Sequence, residues 1–167
     1  MMSSYREALK DRKKIVIKIG SSSLMHPETG KLDLVKIEKL VRILCDVRNS
    51  GKDVVLVSSG AIAVGRMAIG LNERPDELPV KQACAAIGQA RLMMIYQKIF
   101  AEYSQIAAQV LMTKYSIINV ISRQNAENTC VLPNMNVIIF EKCRILNLNV
   151  IDSNKKNKDV QKENRKD

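Results

Sequence analysis

The sequence has no tryptophan, a single histidine and few aromatic residues, which make up 4% of its 167 positions. Proteins that bind single-stranded nucleic acids stack the bases on aromatic rings, so this scarcity disfavours that class. One imidazole, that of His26, cannot form a multi-histidine metal site, and a histidine-based catalytic triad would depend on this residue beside a predicted turn. The sequence therefore predicts no metal site built from protein side chains.

Paired cysteines and membrane segments are also missing. The four cysteines, at positions 45, 84, 130 and 143, show no CxxC spacing, and the first two fall in apolar segments with helical patterning. A reduced thiol in such a segment behaves as a small hydrophobe. Residues 1–14 lack the apolar segment of a signal peptide, and no apolar run is long enough to span a bilayer. We expect a cytoplasmic protein without membrane contacts.

Positive charge is in excess, with a formal net charge of +10, and it is concentrated at the two ends of the chain. Terminal charge runs are more often solvated or disordered than functional, so we predict no nucleic-acid partner. A nucleic-acid binder that uses the basic termini stays open as a weaker alternative without a motif. Residues 151–167 consist almost entirely of Asn, Lys, Asp, Glu and Gln, and they cannot bury enough apolar area to offset the entropy of ordering.

Apolar patterning alternates between short strands and amphipathic helices. The predicted strands are residues 15–19, 54–57, 106–112 and 137–140. The predicted helices are residues 5–13, 34–47, 61–69, 116–131 and a further helix that Pro79 opens. This order predicts an α/β fold, with a mostly parallel sheet sandwiched by helices.

Several details of this pattern can be compared with a structure. The strand at 15–19 should be buried on both faces, residues 21–31 should form a loop, and Gly51 should close the helix before it. Along the helix that Pro79 opens, the predicted buried face carries Val80, Ala83, Ile87, Ala90 and Met94.

A lysine interrupts the first predicted strand just before a glycine turn, in the sequence IKIGSSS at residues 17–23. At the carboxyl end of a parallel strand, the Lys18 ammonium could reach the crevice where such sheets bind ligands. Gly20 would let backbone amides approach a phosphate closely. The alternative is a lysine that extends from an edge strand into solvent. We favour phosphate binding.

A second turn, VSSGAIA at residues 57–63, joins the next strand to its helix and places two hydroxyls at the predicted helix start. The helix dipole and the unpaired N–H groups there favour a carboxylate or phosphate, and Ser59 would add a directional hydrogen bond. An equally good interpretation is that Ser59 only caps the helix.

Other nucleotide-binding and hydrolytic folds are disfavoured by missing motifs. Neither strand is followed by a GxxxxGK[ST] Walker A loop or by the GxGxxG turn of a dinucleotide fold. The serines also lack the GxSxG context of a hydrolase nucleophile.

The two turns and their surroundings resemble the amino-acid kinase family, and within it the glutamate 5-kinases. KIGSS at residues 18–22 is similar to the family's K-x-G-[ST]-S, and VSSGAIAVG at 57–65 is similar to V-[ST]-S-G-A-I-x-x-G. KQACAAIGQ at 81–89 resembles K-Q-x-x-A-A-[IV]-G-Q, and QVLMT at 109–113 and NAENT at 125–129 resemble the next two segments. Together these motifs cover about residues 14–129 in order.

This resemblance implies the family's three-layer fold and phosphoryl transfer from MgATP to the side-chain carboxylate of L-glutamate, a step of proline synthesis. It implies that Lys18 is the catalytic residue, and that Gly20, Ser21 and Ser22 join Lys18 in holding the ATP phosphates. Glutamate would be bound by Ser59, Gly60 and Ala61. The implied cofactors are ATP and Mg²⁺, and self-association into a homo-oligomer is left open.

The resemblance weakens near residue 140. The family continues with P-I-I-N-E-N-D and later G-D-N-D, which bring substrate-binding and catalytic aspartates, whereas this chain reads IIFEKCR at residues 138–144. We predict that residues 1–140 form the N-terminal part of an incomplete amino-acid kinase domain and that 141–167 form a divergent, disordered tail. A frameshift or truncation and a genuine short paralogue both stay open, as does a non-catalytic fragment that binds glutamate or a partner.

Overall fold

A computed structural model describes residues 11–110, 118–130 and 135–140. Its strands are β1 (Lys14–Ile19), β2 (Asp53–Ser58), β3 (Ile106–Val110) and β4 (Met135–Phe140). Its helices are α1 (Ser21–Leu24), α2 (Leu34–Asn49), α3 (Ala61–Ala68), α4 (Leu78–Glu102) and α5 (Val120–Thr129). Most of the predicted helix at 5–13, parts of the predicted elements at 106–112 and 116–131, and the predicted tail lie outside the described residues.

The described strands form one parallel sheet in the order β1-β2-β4-β3. In its centre Leu56 of β2 is paired with Ile17 on one side and with Ile138 of β4 on the other. Parallel neighbours require crossover connections, and helices provide them here. The predicted α/β fold with a mostly parallel sheet is confirmed.

Apolar side chains pack against both faces of this sheet, with helices α2 and α4 on one face and the end of α5 at the other. On one face Leu56 and Ile138 pack with Leu44 of α2 and Phe100 of α4, and all of these side chains are fully buried or nearly so. On the other face a smaller cluster of β2 and β4 side chains packs against Cys130 at the end of α5. The two clusters give the layered arrangement that the sequence predicts.

Strand β1 is not buried on both faces, so that prediction is wrong. Ile17 packs on the larger cluster, but Val16 is 57% exposed and Lys18 is also exposed. Among the described strands β1 pairs only with β2, and no described element covers its second face. The β-branched run at 15–19 therefore forms an edge strand of the described sheet. Apolar periodicity alone does not distinguish an edge strand from a central one.

Helix α2 begins and ends with recognisable caps. Asp33 is the N-cap, and its carboxylate accepts a hydrogen bond from the Lys36 backbone N–H at 3.0 Å. The Lys36 side chain and this backbone bond hold the pKa of Asp33 below its usual value. Gly51 follows the C-cap with φ +84°, as the sequence predicts. The predicted loop at 21–31 instead contains α1, and its Met25 forms an isolated antiparallel bridge with Leu32 just after it.

Helix α4 begins with Pro79 in its first turn, as predicted, but buries a different face from the predicted one. Ile87 and Met94 are exposed, the latter at 69%. Buried positions recur every four residues at Cys84, Gly88, Leu92, Tyr96 and Phe100, and the neighbouring Ala85 and Met93 are buried as well. Aliphatic spacing missed this face because a glycine and two aromatic residues define much of it.

None of the described helices is long and apolar enough to cross a bilayer.

Two glycines let α3 and α4 cross at backbone contact distance. A Cβ atom added to Gly65 would lie 1.8 Å from the Cys84 carbonyl oxygen, and one added to Gly88 would lie 1.7 Å from the Ala61 carbonyl oxygen. Real Cβ atoms never approach so closely, so both positions require glycine. This crossing fixes the start of α3, where the second predicted turn lies.

Candidate functional site

The two strand-to-helix turns lie side by side at the carboxyl ends of β1 and β2. The Ser59 backbone N–H donates a hydrogen bond to the Ile19 carbonyl oxygen at 3.0 Å, which joins one turn to the other. A Cβ atom on Gly60 would lie 3.6 Å from the Ser21 Cβ atom. Neighbouring parallel strands end at the same edge of a sheet, where α/β folds bind ligands.

Gly60, and not Ser59, occupies the N-cap of α3. Gly60 has φ +105°, a left-handed conformation that a residue with a side chain rarely adopts. The interpretation in which Ser59 caps the helix is therefore wrong. Ser59 is one residue further from the helix, in the turn itself.

A cavity of about 380 Å³ lies against these turns. It is lined by Ser21, Ser59, Gly60, Ala61, Ile62, Ala63, Arg66, Arg74, Ala85 and Gln89. Four of the predicted site residues, from two separate turns, therefore meet in one cavity. The structure brings together the whole predicted substrate-binding set and one residue of the predicted phosphate-binding set.

The other predicted phosphate-binding residues flank the cavity without lining it. Lys18 is exposed near the carboxyl end of β1, where it is in register with Val57. Gly20 has an extended backbone and is the N-cap of α1, and an added Cβ would lie 3.8 Å from the Ser22 Oγ atom. The exposure of Lys18 fits the alternative of a lysine that extends from an edge strand. Its position beside the first turn also fits phosphate binding.

Arg66, Arg74 and Gln89 line the cavity but were not predicted as site residues. Gln89 gives a signal in the sequence, because it is the last residue of the motif at 81–89, directly after Gly88. Arg66 similarly follows Gly65, the other glycine of the helix crossing. No comparable signal marks Arg74, which lies in the loop before α4.

The charge of the cavity favours an anion. Its lining contains two arginine side chains and no carboxylate. Guanidinium groups bind carboxylates and phosphates through parallel N–H donors. Over the described ranges no three His, Cys, Asp or Glu side chains cluster as a metal site. The lining residues thus fit an anionic substrate but do not fit a Mg²⁺ ion held by protein carboxylates.

A buried hydrogen bond supports the turn from below. The hydroxyls of Ser58 and Tyr96 lie 2.9 Å apart, and both residues are fully buried. Burial raises the pKa of Tyr96, and the hydrogen bond with Ser58 partly opposes this shift. The bond joins Ser58, which is the last residue of β2 and directly precedes Ser59, to Tyr96 of α4.

Replacing Tyr96 by phenylalanine removes one partner of this bond and should lower the free energy of unfolding by about 1 kcal/mol. Urea denaturation of the Tyr96→Phe chain measures the loss. The matched control is a double-mutant cycle with Ser58→Ala: if the two hydroxyls act on each other, the double variant loses less than the sum of the single variants. Simple additivity would show that the bond contributes nothing.

A second cavity, of about 440 Å³, lies beside the first. Arg66 lines both cavities, whereas Lys31 and Arg91 line only the second. The two cavities are therefore separate surfaces that share one arginine of α3.

The family profile of the amino acid kinases matches residues 13–149 of this chain. The chain belongs to the amino acid kinase family. The match covers both turns, the α3–α4 crossing and every described strand. It also runs past residue 140, so the predicted division of the chain at that residue stays a prediction.

Several curated relatives of this chain carry the same name. The chain is 56% identical over 108 residues to a protein of Carboxydothermus hydrogenoformans named glutamate 5-kinase. It is 50% identical over 124 and 129 residues to proteins of the same name from Clostridium perfringens and Clostridium tetani. The aligned segments cover 65%, 74% and 77% of this chain but only 29%, 46% and 48% of these relatives, respectively.

Proposed function

We propose that this chain serves the glutamate 5-kinase reaction, the transfer of a phosphoryl group from ATP to the side-chain carboxylate of L-glutamate. A carboxylate oxygen of glutamate would form a bond to the γ-phosphorus of ATP, while the bond from that phosphorus to the bridging oxygen breaks and ADP leaves. The products would be glutamyl 5-phosphate and ADP. No covalent intermediate on the protein is required.

One observation carries this proposal. The Ser59 N–H···O=C Ile19 bond unites two turns that the sequence alone singled out, and Ser21, Ser59, Gly60 and Ala61 converge on one cavity without a carboxylate. A second observation supports the choice of reaction, since relatives at 50% identity and above are named glutamate 5-kinases.

Each predicted residue then has a role. Ser59, Gly60 and Ala61 would hold the acceptor carboxylate at the start of α3. Ser21 and Ser22, with the backbone next to Gly20, would contact the phosphates of ATP. Lys18 would offset the negative charge that develops on the transferring group, and it is the residue we propose as catalytic.

ATP would bring Mg²⁺ with it, held by the phosphate oxygens, because the described cavity lining offers no carboxylate for the ion. We also propose a cytoplasmic location, which agrees with the free, buried thiols of Cys45 and Cys84. Homo-oligomerisation stays a prediction.

The proposal is tested by an acyl phosphate assay on the full 167-residue chain. With ATP, Mg²⁺ and L-glutamate present, we expect hydroxylamine to trap glutamyl hydroxamate, and we expect none when ATP or glutamate is omitted. The same assay with L-aspartate, which is one carbon shorter, serves as the matched control for the acceptor.

A folded chain that forms no hydroxamate would overturn the kinase proposal. Isothermal titration with L-glutamate then decides the alternative function, since heat of binding without turnover identifies a non-catalytic glutamate-binding protein. The specific feature that keeps this alternative in view is the sequence at 138–144, which differs from the family's aspartate-bearing motif.

A further inference from the structure

The loop between α3 and α4 holds an arginine at the candidate site. Arg66 Nη1 donates a hydrogen bond to the Asn72 carbonyl oxygen at 2.8 Å, and Lys81 Nζ donates one to the Asp76 carbonyl oxygen at 2.7 Å. Arg74 lies midway between these two anchored carbonyls and lines the cavity. Pro75 further restricts the backbone of Arg74 to extended conformations. The loop is thus pinned on both sides of an exposed arginine.

The guanidinium groups at this cavity retain donors that the described residues do not use. Arg74 makes no hydrogen bond or ion pair with another described residue, and Arg66 uses one nitrogen on Asn72. An arginine with open donors is suited to a planar, two-oxygen anion such as a carboxylate. Since the lining has no acidic side chain, an anionic ligand would meet no competing carboxylate at these arginines.

The cavity offers two kinds of contact for an anion. Ser59, Gly60 and Ala61 line it at the start of α3, and Arg66 and Arg74 line it as well. A ligand with two carboxylates could therefore place one at the turn of Ser59 while the other reaches the arginines.

We propose that Arg74, together with Arg66, binds the substrate carboxylate that is not phosphorylated. This inference rests on the proposed function and adds a specificity determinant to it: the cavity selects an amino dicarboxylic acid over the corresponding monocarboxylic acid. Arg74 contacts the α-carboxylate. Arg66 contributes a second cation and positions the loop through Asn72.

The test compares two ligands on the full chain by isothermal titration. L-Glutamate carries both carboxylates, whereas 4-aminobutanoate keeps the amine and the distal carboxylate but lacks the α-carboxylate. We expect Arg74→Gln to weaken glutamate binding about tenfold or more and to leave 4-aminobutanoate binding unchanged. The matched control is Arg91→Gln, which removes the same charge from the neighbouring cavity and should change neither affinity.

Arg66→Lys gives an independent readout, because it keeps the charge but removes the forked donor. It should also reduce the preference for glutamate over 4-aminobutanoate. Unchanged glutamate binding by the Arg74→Gln chain, or an equal loss for both ligands, would overturn this inference and leave the proposed function intact. A folded, unaltered chain that binds neither ligand would overturn both.

Discussion

The Lys18→Met chain should form glutamyl hydroxamate roughly 100- to 1000-fold more slowly than the unaltered chain, which is the cost of removing one group that stabilises transition-state charge. Methionine keeps most of the length of the side chain and removes the ammonium. Because Lys18 does not line the cavity, glutamate affinity should stay within a few-fold of its original value. The loss should therefore appear in kcat and not in KM for glutamate.

Lys14→Met is the matched control for this experiment. Lys14 and Lys18 are both exposed, lie on the same face of β1 and are four residues apart, but Lys14 is at the end of the strand away from the turns. We expect Lys14→Met to retain full activity. Equal losses in the two variants would show that the general positive charge of β1, and not a contact made by Lys18, accelerates the reaction.

The second large expected effect is a loss of folding stability. Gly88→Ala should lower the free energy of unfolding by about 3 kcal/mol, because the new methyl group would lie 1.7 Å from the Ala61 carbonyl oxygen. The clashing atom belongs to a backbone and cannot rotate aside, so α3 and α4 must separate. Urea denaturation measures the loss, and glutamate binding should weaken with it, since Ala61 lines the cavity.

Gly20→Ala provides the control for adding a methyl group to a glycine. Gly20 has φ −79°, and its added Cβ would meet nothing closer than the Ser22 Oγ atom at 3.8 Å. This variant should change the free energy of unfolding by less than about 1 kcal/mol. If Gly88→Ala proved as stable as Gly20→Ala, the two helices could not cross as closely as described.

Local patterns were sufficient to predict the described strands and a mostly parallel sheet, but not the strand order β1-β2-β4-β3. The run at 54–57 is apolar on both faces because β2 is central, and the turn after it contains the Gly60 that α3 needs at its N-cap. The same reasoning failed for β1, where an equally apolar run lies at an edge. Burial of a strand depends on its neighbours, and one strand's sequence does not specify them.

The candidate site divides in the same way. Ser59 was predicted from a turn whose local sequence suggests anion binding, and the family resemblance added Ser21, Gly60 and Ala61; all four line the cavity. The other polar lining residues come from α3, the loop after it and α4, and the tertiary crossing of α3 and α4 brings the two helices together: Arg66, Arg74 and Gln89. Gly65 and Gly88 belong to two of the motifs that carry the family resemblance, and both serve this crossing, so part of each of these motifs encodes packing and not ligand binding.

The position of β4 also has a consequence during synthesis. This last described strand lies between β2 and β3, which precede it in the chain. Until residues 135–140 leave the ribosome, β2 and β3 have open edges, and the side chains of Val55 and Val57 lack the partners they pack against. A nascent chain stalled before this point would display an apolar sheet edge for chaperones or proteases to bind, and translation through β4 completes the described sheet.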